Sequence, residues 1–228
     1  MTPTVDARIS FPAGTRLAVI DLDGTLLKGQ NAERIFYVHL LAHGHVGALR
    51  MAGFLLSLVG ETARRGFRKA IAVNTRILKG RTPGEVGDWA RAFGQVFLRK
   101  AVTEDLRAKI LSLKRDGCRV ILLSGSLQIL VDQLRERLEA EILIGTELEV
   151  ADGRLTGRKI GIFPYGPKKL DALFQRLDPG GVDWAGSWAL ADRISDLPVL
   201  DLVGHPVAVH PDRRLRRLAR ERGWEIIG

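Results

Sequence analysis

Leu17-Ala18-Val19-Ile20-Asp21-Leu22-Asp23-Gly24-Thr25 is the stretch whose reading decides the fold. Four apolar residues run without interruption and stop abruptly at an acid. A short apolar run without alternation fits a strand buried on both faces, as in a parallel sheet covered by helices. Residues 118–123 form a second such run, ending at Ser124-Gly125-Ser126, and residues 188–191 a third, ending at Asp192. Residues 206–209 and 225–227 read as two more.

Helical patterns separate these runs. Residues 103–116 read as a helix, with Thr103 as N-cap, Glu104 and Asp105 in the first turn and Gly117 closing it. Residues 127–140, 168–177 and 212–222 read the same way. Strands alternating with helices of this length predict an α/β fold with a Rossmann-like parallel sheet. The stretch 147–160 breaks the rhythm, because Asp152-Gly153 between alternating segments is a hairpin signal. Residues 31–99 differ again. Apolar positions such as Ile35, Val38, Leu41 and Leu55, Leu58, Val59 recur at helical spacing with no strand-like run. The organisation expected is a core of residues 1–30 and 100–228 with a helical insert at 31–99.

Composition sets the outer limits. In 228 residues, 46% are hydrophobic and 27% charged, and the mean hydropathy is +0.03, which describes a globular chain and excludes a mostly disordered one. The single cysteine, Cys118, excludes a disulfide framework and a cysteine-based zinc site, and fits a reducing compartment. The first ten residues carry Asp6 and Arg8 without an apolar core, unlike a signal peptide. The longest apolar stretch, 51–60, has about half the length needed to cross a bilayer. A soluble, cytoplasmic protein is expected, and the sequence says nothing of its oligomeric state. The net charge of +9 is uneven, since residues 31–99 hold 11 Lys/Arg against 4 Asp/Glu while the rest holds 24 against 22. Such a segment suits an anionic substrate, an acidic membrane surface or nucleic acid, and it is equally the pattern of a solvated face.

In an open α/β sheet, ligands bind beyond the carboxyl ends of the strands. The candidate strands deliver Asp21, Ser124 and Asp192 to that edge. Asp21 and Asp23, one residue apart where a strand ends, aim two carboxylates at one pocket. Crowded carboxylates repel unless a cation or a shared proton intervenes, so a divalent metal is the natural partner, and all-oxygen ligation favours magnesium over zinc. A plain Asx turn at Asp23-Gly24 is the structural alternative.

The stretch Asp21-Leu22-Asp23-Gly24-Thr25 resembles the first signature of the haloacid dehalogenase superfamily. Ser124-Gly125 after its strand resembles the second, Lys169 in Gly166-Pro167-Lys168-Lys169-Leu170 the third, and Asp192-Arg193-Ile194-Ser195-Asp196 the fourth. The run from Leu200 to Asp212 resembles the phosphoserine-phosphatase-like branch. The resemblance spans nearly the whole chain, with all four signatures in order. It implies that Asp21 is a nucleophile forming an aspartyl-phosphate and that Asp23 protonates the leaving oxygen and then deprotonates water. It further implies Mg2+ on the Asp21 carboxylate, the Asp23 backbone carbonyl and Asp192, with Asp196 holding a metal-bound water or orienting Lys169. Ser124 and the Gly125 amide would bind phosphoryl oxygens, and Lys169 would offset charge where phosphate meets Asp21. Lys168 competes with Lys169 for that role. The physics agrees, because an anionic nucleophile attacking an anionic phosphate needs cations on both sides.

The fourth signature departs from the usual Gly-Asp-Ser, reading Ala191-Asp192-Arg193 and placing a cation beside the proposed metal loop. We expect Arg193 to face solvent or to partner the site from its outer side. Residues 31–99 lie where the superfamily carries a helical cap over the site. Phosphoserine phosphatases hold the substrate's ammonium and carboxylate with a glutamate and a cap arginine. The matching positions here are Gln30 and Asn74, with Glu33 and Arg76 close by, and the second signature reads Ser-Gly-Ser rather than Ser-Gly-Gly. Phosphoserine is therefore not the substrate expected. The basic, apolar cap residues (Phe54, Leu55, Leu56, Arg64, Arg65, Phe67, Arg68 and Lys69) suit a bulkier or multiply anionic phosphomonoester, or are simply cap core and solvated surface. His39, His43 and His45 are read as surface or packing residues, not zinc ligands. The leading expectation is a magnesium-dependent phosphomonoester hydrolase acting on a small molecule, without nucleic acid and without a transmembrane segment. Phosphotransfer by the same residues stays open, as does peripheral contact with an anionic membrane. A non-enzymatic basic module, resting on the arginines of residues 213–222, is the remaining alternative.

Overall fold

The computed structural model describes residues 8–47, 75–98 and 101–228, together with positions 52, 53, 56 and 59. The strands are β1 (Leu17–Ile20), β2 (Arg119–Leu127), β3 (Ile142–Ala151), β4 (Arg154–Ile160), β5 (Trp188–Ala191), β6 (His205–Val209) and β7 (Glu225–Ile227). They form one seven-stranded sheet in the order β4-β3-β2-β1-β5-β6-β7. Every neighbouring pair is parallel except β3 and β4. Those two are joined by Asp152-Gly153, both at positive φ, which is the twist a two-residue hairpin turn requires.

All four residues of β1 are buried. Ala18 and Ile20 join Val120 and Leu122 in the core on one face, while Leu17 and Val19 join Ile121 and Leu123 on the other. Alternation across the pleat thus sends an unbroken apolar run into two separate cores, and helices cover both faces. The main helices are α1 (Ala32–Ala42), α2 (Pro83–Phe93), α3 (Glu104–Arg115), α4 (Lys168–Arg176) and α5 (Arg213–Arg222). The chain leaves β1 toward β2 on one side and toward β5 on the other, so the carboxyl ends of these three strands border a crevice at the switch point.

Three local expectations need correction. The helix expected over 127–140 is broken, because β2 runs on to Leu127 and is followed by short turns at Gln128–Val131, Asp132–Leu134 and Arg135–Leu138. The Gln128 side chain accepts from Gly145 N and donates to Leu143 O and Asp132 Oδ1, tying the first turn to β3. Thr103 stands at the N-cap of α3, but its hydroxyl makes no capping hydrogen bond. In α1 the helical period is right and the phase is wrong. Val38 and Leu41 are 58% and 37% exposed, whereas Phe36, Tyr37 and Leu40 enter the core. The aromatic pair has the larger apolar area to bury and so sets the rotation of the helix.

Described residues between 31 and 98 contain no strand. Besides α1 and α2 they hold helical turns at Arg76–Leu78 and Gly94–Leu98. Asn74 and, apart from Leu56 and Val59, the basic and apolar positions singled out between 54 and 69 lie outside the described residues. Among those described, no helix is long and apolar enough to cross a membrane.

Phe36 and Phe93 join α1 to α2 with ring centroids 5.3 Å apart, and neither ring is more than 1% exposed. Phe93→Ala should cost about 3–5 kcal/mol of unfolding free energy in urea titrations, the range for deleting a buried aromatic side chain. A loss below about 1 kcal/mol would mean that this junction is not part of the cooperative core.

Candidate active site

Asp21 stands one residue past the end of β1, its backbone amide donating to Leu190 O at 3.0 Å. Its carboxylate is held from two sides, by Lys169 Nζ at 2.7 Å on Oδ1 and by the Thr25 hydroxyl donating to Oδ2 at 3.1 Å. Lys169 reaches it from the first turn of α4 and also lies 3.0 Å from Asp196 Oδ1. Of the two adjacent lysines, Lys169 is buried and Lys168 exposed. Burial works against the Lys169 ammonium, but the charges of Asp21 and Asp196 outweigh it and hold its pKa above the ordinary value.

Asp192 follows β5 and completes an acidic group with Asp21 and Asp196, in which one carboxylate oxygen from each lies within 4.8 Å of the others. All three residues are buried, at 4–7% exposure. Burial, then the neighbouring charge of Asp21, pushes the Asp192 carboxyl up to about 7. The Asp196 carboxyl rises for the same reasons, partly offset by Lys169. Arg193 donates from Nε to Asp192 Oδ2 at 3.2 Å, with its side chain 47% exposed, so it partners the group from the solvent side. Asp192 Oδ1 is buried and has no hydrogen-bond partner.

These residues fit a cation. Three buried acids face one lysine and one half-exposed arginine, and one oxygen of Asp192 is left without a partner. Gly24 makes room for the Asp192 carboxylate. The residue sits at φ +92°, and a Cβ there would collide with the Asp192 carboxylate. A hard divalent cation with oxygen ligands matches this donor set. The histidines His39, His43 and His45 stack in a row ending on Trp89, well apart in sequence from these acids.

The Asp23 carboxylate is not part of the acidic group. It points the other way, where Oδ1 accepts from Ala32 N at 2.7 Å and Oδ2 from the hydroxyls of Ser126 at 2.7 Å and Ser124 at 3.2 Å. Ala32 N is one of the free amides of the first turn of α1, whose N-cap Asn31 accepts from Arg34 N. Despite three donors, enclosure and then the Asp21 charge push the Asp23 carboxyl up to about 6. A serine hydroxyl can rotate from donating to accepting, so the cradle suits both protonation states.

Sequence reasoning gives no role to two contributors, Ser126 and Thr25. Ser126 was passed over, although period-2 alternation along an extended strand puts it on the same side as Ser124. Ser124 itself is engaged, donating to Asp23 and accepting from Ser126 N at 3.0 Å. Thr25 was quoted without a role. Glu33, named above beside Gln30, is buried at the start of α1 and accepts from Tyr37 Oη at 2.7 Å and from Lys159 Nζ at 3.0 Å. Gln30, its weighed neighbour, is exposed, and Arg76 lies on the surface.

The sequence model for haloacid dehalogenase-like hydrolases matches residues 18–201. The chain belongs to this family. Among its relatives is a phosphoserine phosphatase of Mycobacterium tuberculosis, 31% identical over 222 residues, covering 93% of this chain and 70% of that protein. A solved structure of a Bordetella pertussis Tohama I protein of unknown function superposes with a TM-score of 0.79 at 25% identity, over 95% of this chain and 99% of that one. A phospho-aspartyl intermediate analogue of phosphoserine phosphatase shares the fold, with a TM-score of 0.60 at 19% identity over 94% and 93% of the two chains. Membership sets aside the non-enzymatic basic module. On α5, Arg222 and Arg217 are paired with Asp201 and Glu221, and Arg216 donates to Gly228 O.

The raised Asp192 pKa has a consequence for stability. An acid at about 7 when folded and near its ordinary 3.8 when unfolded makes the folded state bind more protons between those values. Stability then falls as pH rises through that window. Asp192→Asn removes the effect, so in chelator the variant should gain on wild type by on the order of 2–4 kcal/mol between pH 4.5 and 7.5. Thermal melts across that range check it, and a pH-independent difference would contradict it.

Proposed function

We propose that the protein is a magnesium-dependent phosphomonoester hydrolase working through an aspartyl-phosphate on Asp21. The observation that carries this reading is the division of labour around β1. Asp21 is paired with the Lys169 ammonium and faces the acidic group, while Asp23, two residues on, sits in a separate cradle with its carboxyl raised to about 6. One acid is fitted to attack and the other to carry a proton.

In the first half-reaction an Asp21 carboxylate oxygen attacks phosphorus and the ester P–O bond breaks. The proton on Asp23 passes to the departing oxygen, giving a free alcohol. In the second, Asp23 accepts a proton from water, the water oxygen bonds to phosphorus and the bond to Asp21 breaks, releasing inorganic phosphate. Lys169 offsets negative charge where the phosphoryl group meets Asp21. Ser126 and Ser124 keep Asp23 aimed through both halves, and the Gly125 amide is available to a phosphoryl oxygen. Asp21, Asp192 and the Asp23 carbonyl would hold the metal, with Asp196 orienting Lys169. A bound Mg2+ supplies charge neutralisation for the phosphoryl oxygens. The segment 31–99, of which α1 and α2 are described, would act as a cap that excludes water and contacts the leaving group.

The family relative is named for phosphoserine, but the recognition groups differ. Glu33, the buried acid next to the Ala32 amide on Asp23, has its charge met by Lys159 rather than left for a substrate ammonium. Each missing charge-assisted contact costs on the order of 1.5–3 kcal/mol. Phosphoserine should therefore have a kcat/KM roughly two decades or more below the best ester in a panel of sugar, nucleotide, lysophospholipid-type and aryl phosphates. If it leads the panel, the recognition argument is wrong.

Asp21→Asn keeps side-chain volume and removes the nucleophile. Phosphate release should fall by at least about a thousandfold while the circular dichroism spectrum is unchanged. Chelator should abolish wild-type turnover and magnesium restore it. Near-normal turnover by the folded variant, or full activity in chelator, would overturn the mechanism.

A further inference from the structure

The leaving group must lie against Asp23, because that carboxyl protonates it. What surrounds Asp23 therefore selects the alcohol. On one side stand Ala32 and Glu33 at the start of α1, with Ala32 N on Asp23. On the other is Gly125, between the two serines that hold Asp23. On the face of β2 opposite the two serine hydroxyls, a ring borders Gly125 closely. A Cβ there would sit 3.3 Å from Phe163 Cε2 and Cζ and 3.4 Å from Pro164 O. Lys159 closes the circle, with Nζ 3.0 Å from Glu33 Oε2 and 5.2 Å from the centre of the Phe163 ring.

Two properties of this wall point to a ligand. Its charges are matched internally, Glu33 against Lys159, so it offers aromatic surface more than a charge for a zwitterion. And the surface continues outward. Phe163 and Tyr165 lie nearly parallel, at 17° with centroids 5.9 Å apart, and Tyr165 is 53% exposed. The segment presenting them is stiff. Buried Pro164 lies between the rings, Pro167 follows, and Tyr165 N donates to Phe163 O at 2.8 Å. Four residues after Tyr165 the same segment delivers Lys169 to Asp21, so the rings are fixed relative to the nucleophile. A half-exposed aromatic held in place by prolines has little conformational freedom to lose when a flat group covers it.

We propose that Phe163 and Tyr165 are specificity-determining residues that stack a planar aromatic or heteroaromatic group of the substrate's alcohol. The inference rests on the hydrolase reading above and adds the substrate class. Stacking on such a pair favours an aromatic over an aliphatic group of equal size by about threefold to tenfold.

The test separates stacking from leaving-group chemistry. 2-Phenylethyl phosphate and 2-cyclohexylethyl phosphate release alcohols of similar basicity and similar bulk, and differ in planarity. The wild-type ratio of kcat/KM should favour the phenyl ester at least threefold. Tyr165→Leu and Phe163→Leu should each bring the ratio toward one, while Tyr165→Phe, which keeps the ring, should preserve it. Binding of the matching phosphonates to Asp21→Asn, followed by calorimetry, reads the same preference without turnover. A preference in binding with no hydrolysis of any ester would overturn the hydrolase reading and leave the stacking site standing. A wild-type ratio near one in both assays, or one unchanged in both leucine variants, would overturn the inference and leave the two rings as loop packing.

Discussion

Gathering Asp21, Asp192 and Asp196 within a few ångströms of one another is the constraint from which the rest of the site follows. Buried like charges at that separation are unfavourable unless cations are supplied or protons are retained. The protein supplies one cation from within, Lys169, lodged between Asp21 and Asp196 at 2.7 and 3.0 Å. A second, Arg193, touches Asp192 from the solvent side. What remains uncompensated shows as raised carboxyl pKa values and as an Asp192 oxygen with no partner. Even Gly24 belongs to this account, since only a residue without a side chain lets the Asp192 carboxylate come so close to the turn after β1.

The two acids of the first signature owe their difference to what each faces. Asp21 continues the line of β1 into the acidic group. Asp23 turns toward β2 and the start of α1, where it meets an amide and two hydroxyls. Enclosure without a neighbouring cation raises its carboxyl to about 6, which suits the proton carrier that the proposed mechanism asks for. The helix that supplies the amide also carries Glu33, whose pairing with Lys159 joins α1 to the end of the hairpin strand β4. The Glu33 side of the site is thereby tied across 126 residues of chain, with its charge matched by Lys159.

Much of this was legible from the chain alone because it depends on short-range regularities. Apolar runs ending in polar residues mark strands of a parallel sheet and the edge at which ligands bind, and Asp152-Gly153 marks its own hairpin. Ser126 and Thr25 were within reach of the same reasoning, since strand alternation and a turn of four residues bring each beside a known acid. The phase of α1 was not, because Val38 and Phe36 are both apolar and only packing against α2 decides which is buried.

The sequence by itself determined the fold class, the order of the signatures and the residue types available for attack, proton transfer and charge neutralisation, because each is written in contiguous or regularly spaced residues. Only the tertiary structure decided which of two lysines reaches Asp21, that Glu33 is buried against Lys159, and that the Phe163 ring lies over Lys159 with Tyr165 beside it. Those choices depend on where α4, α1 and the loop after β4 dock on the sheet, and docking is set by the summed burial of many distant side chains, not by any local pattern.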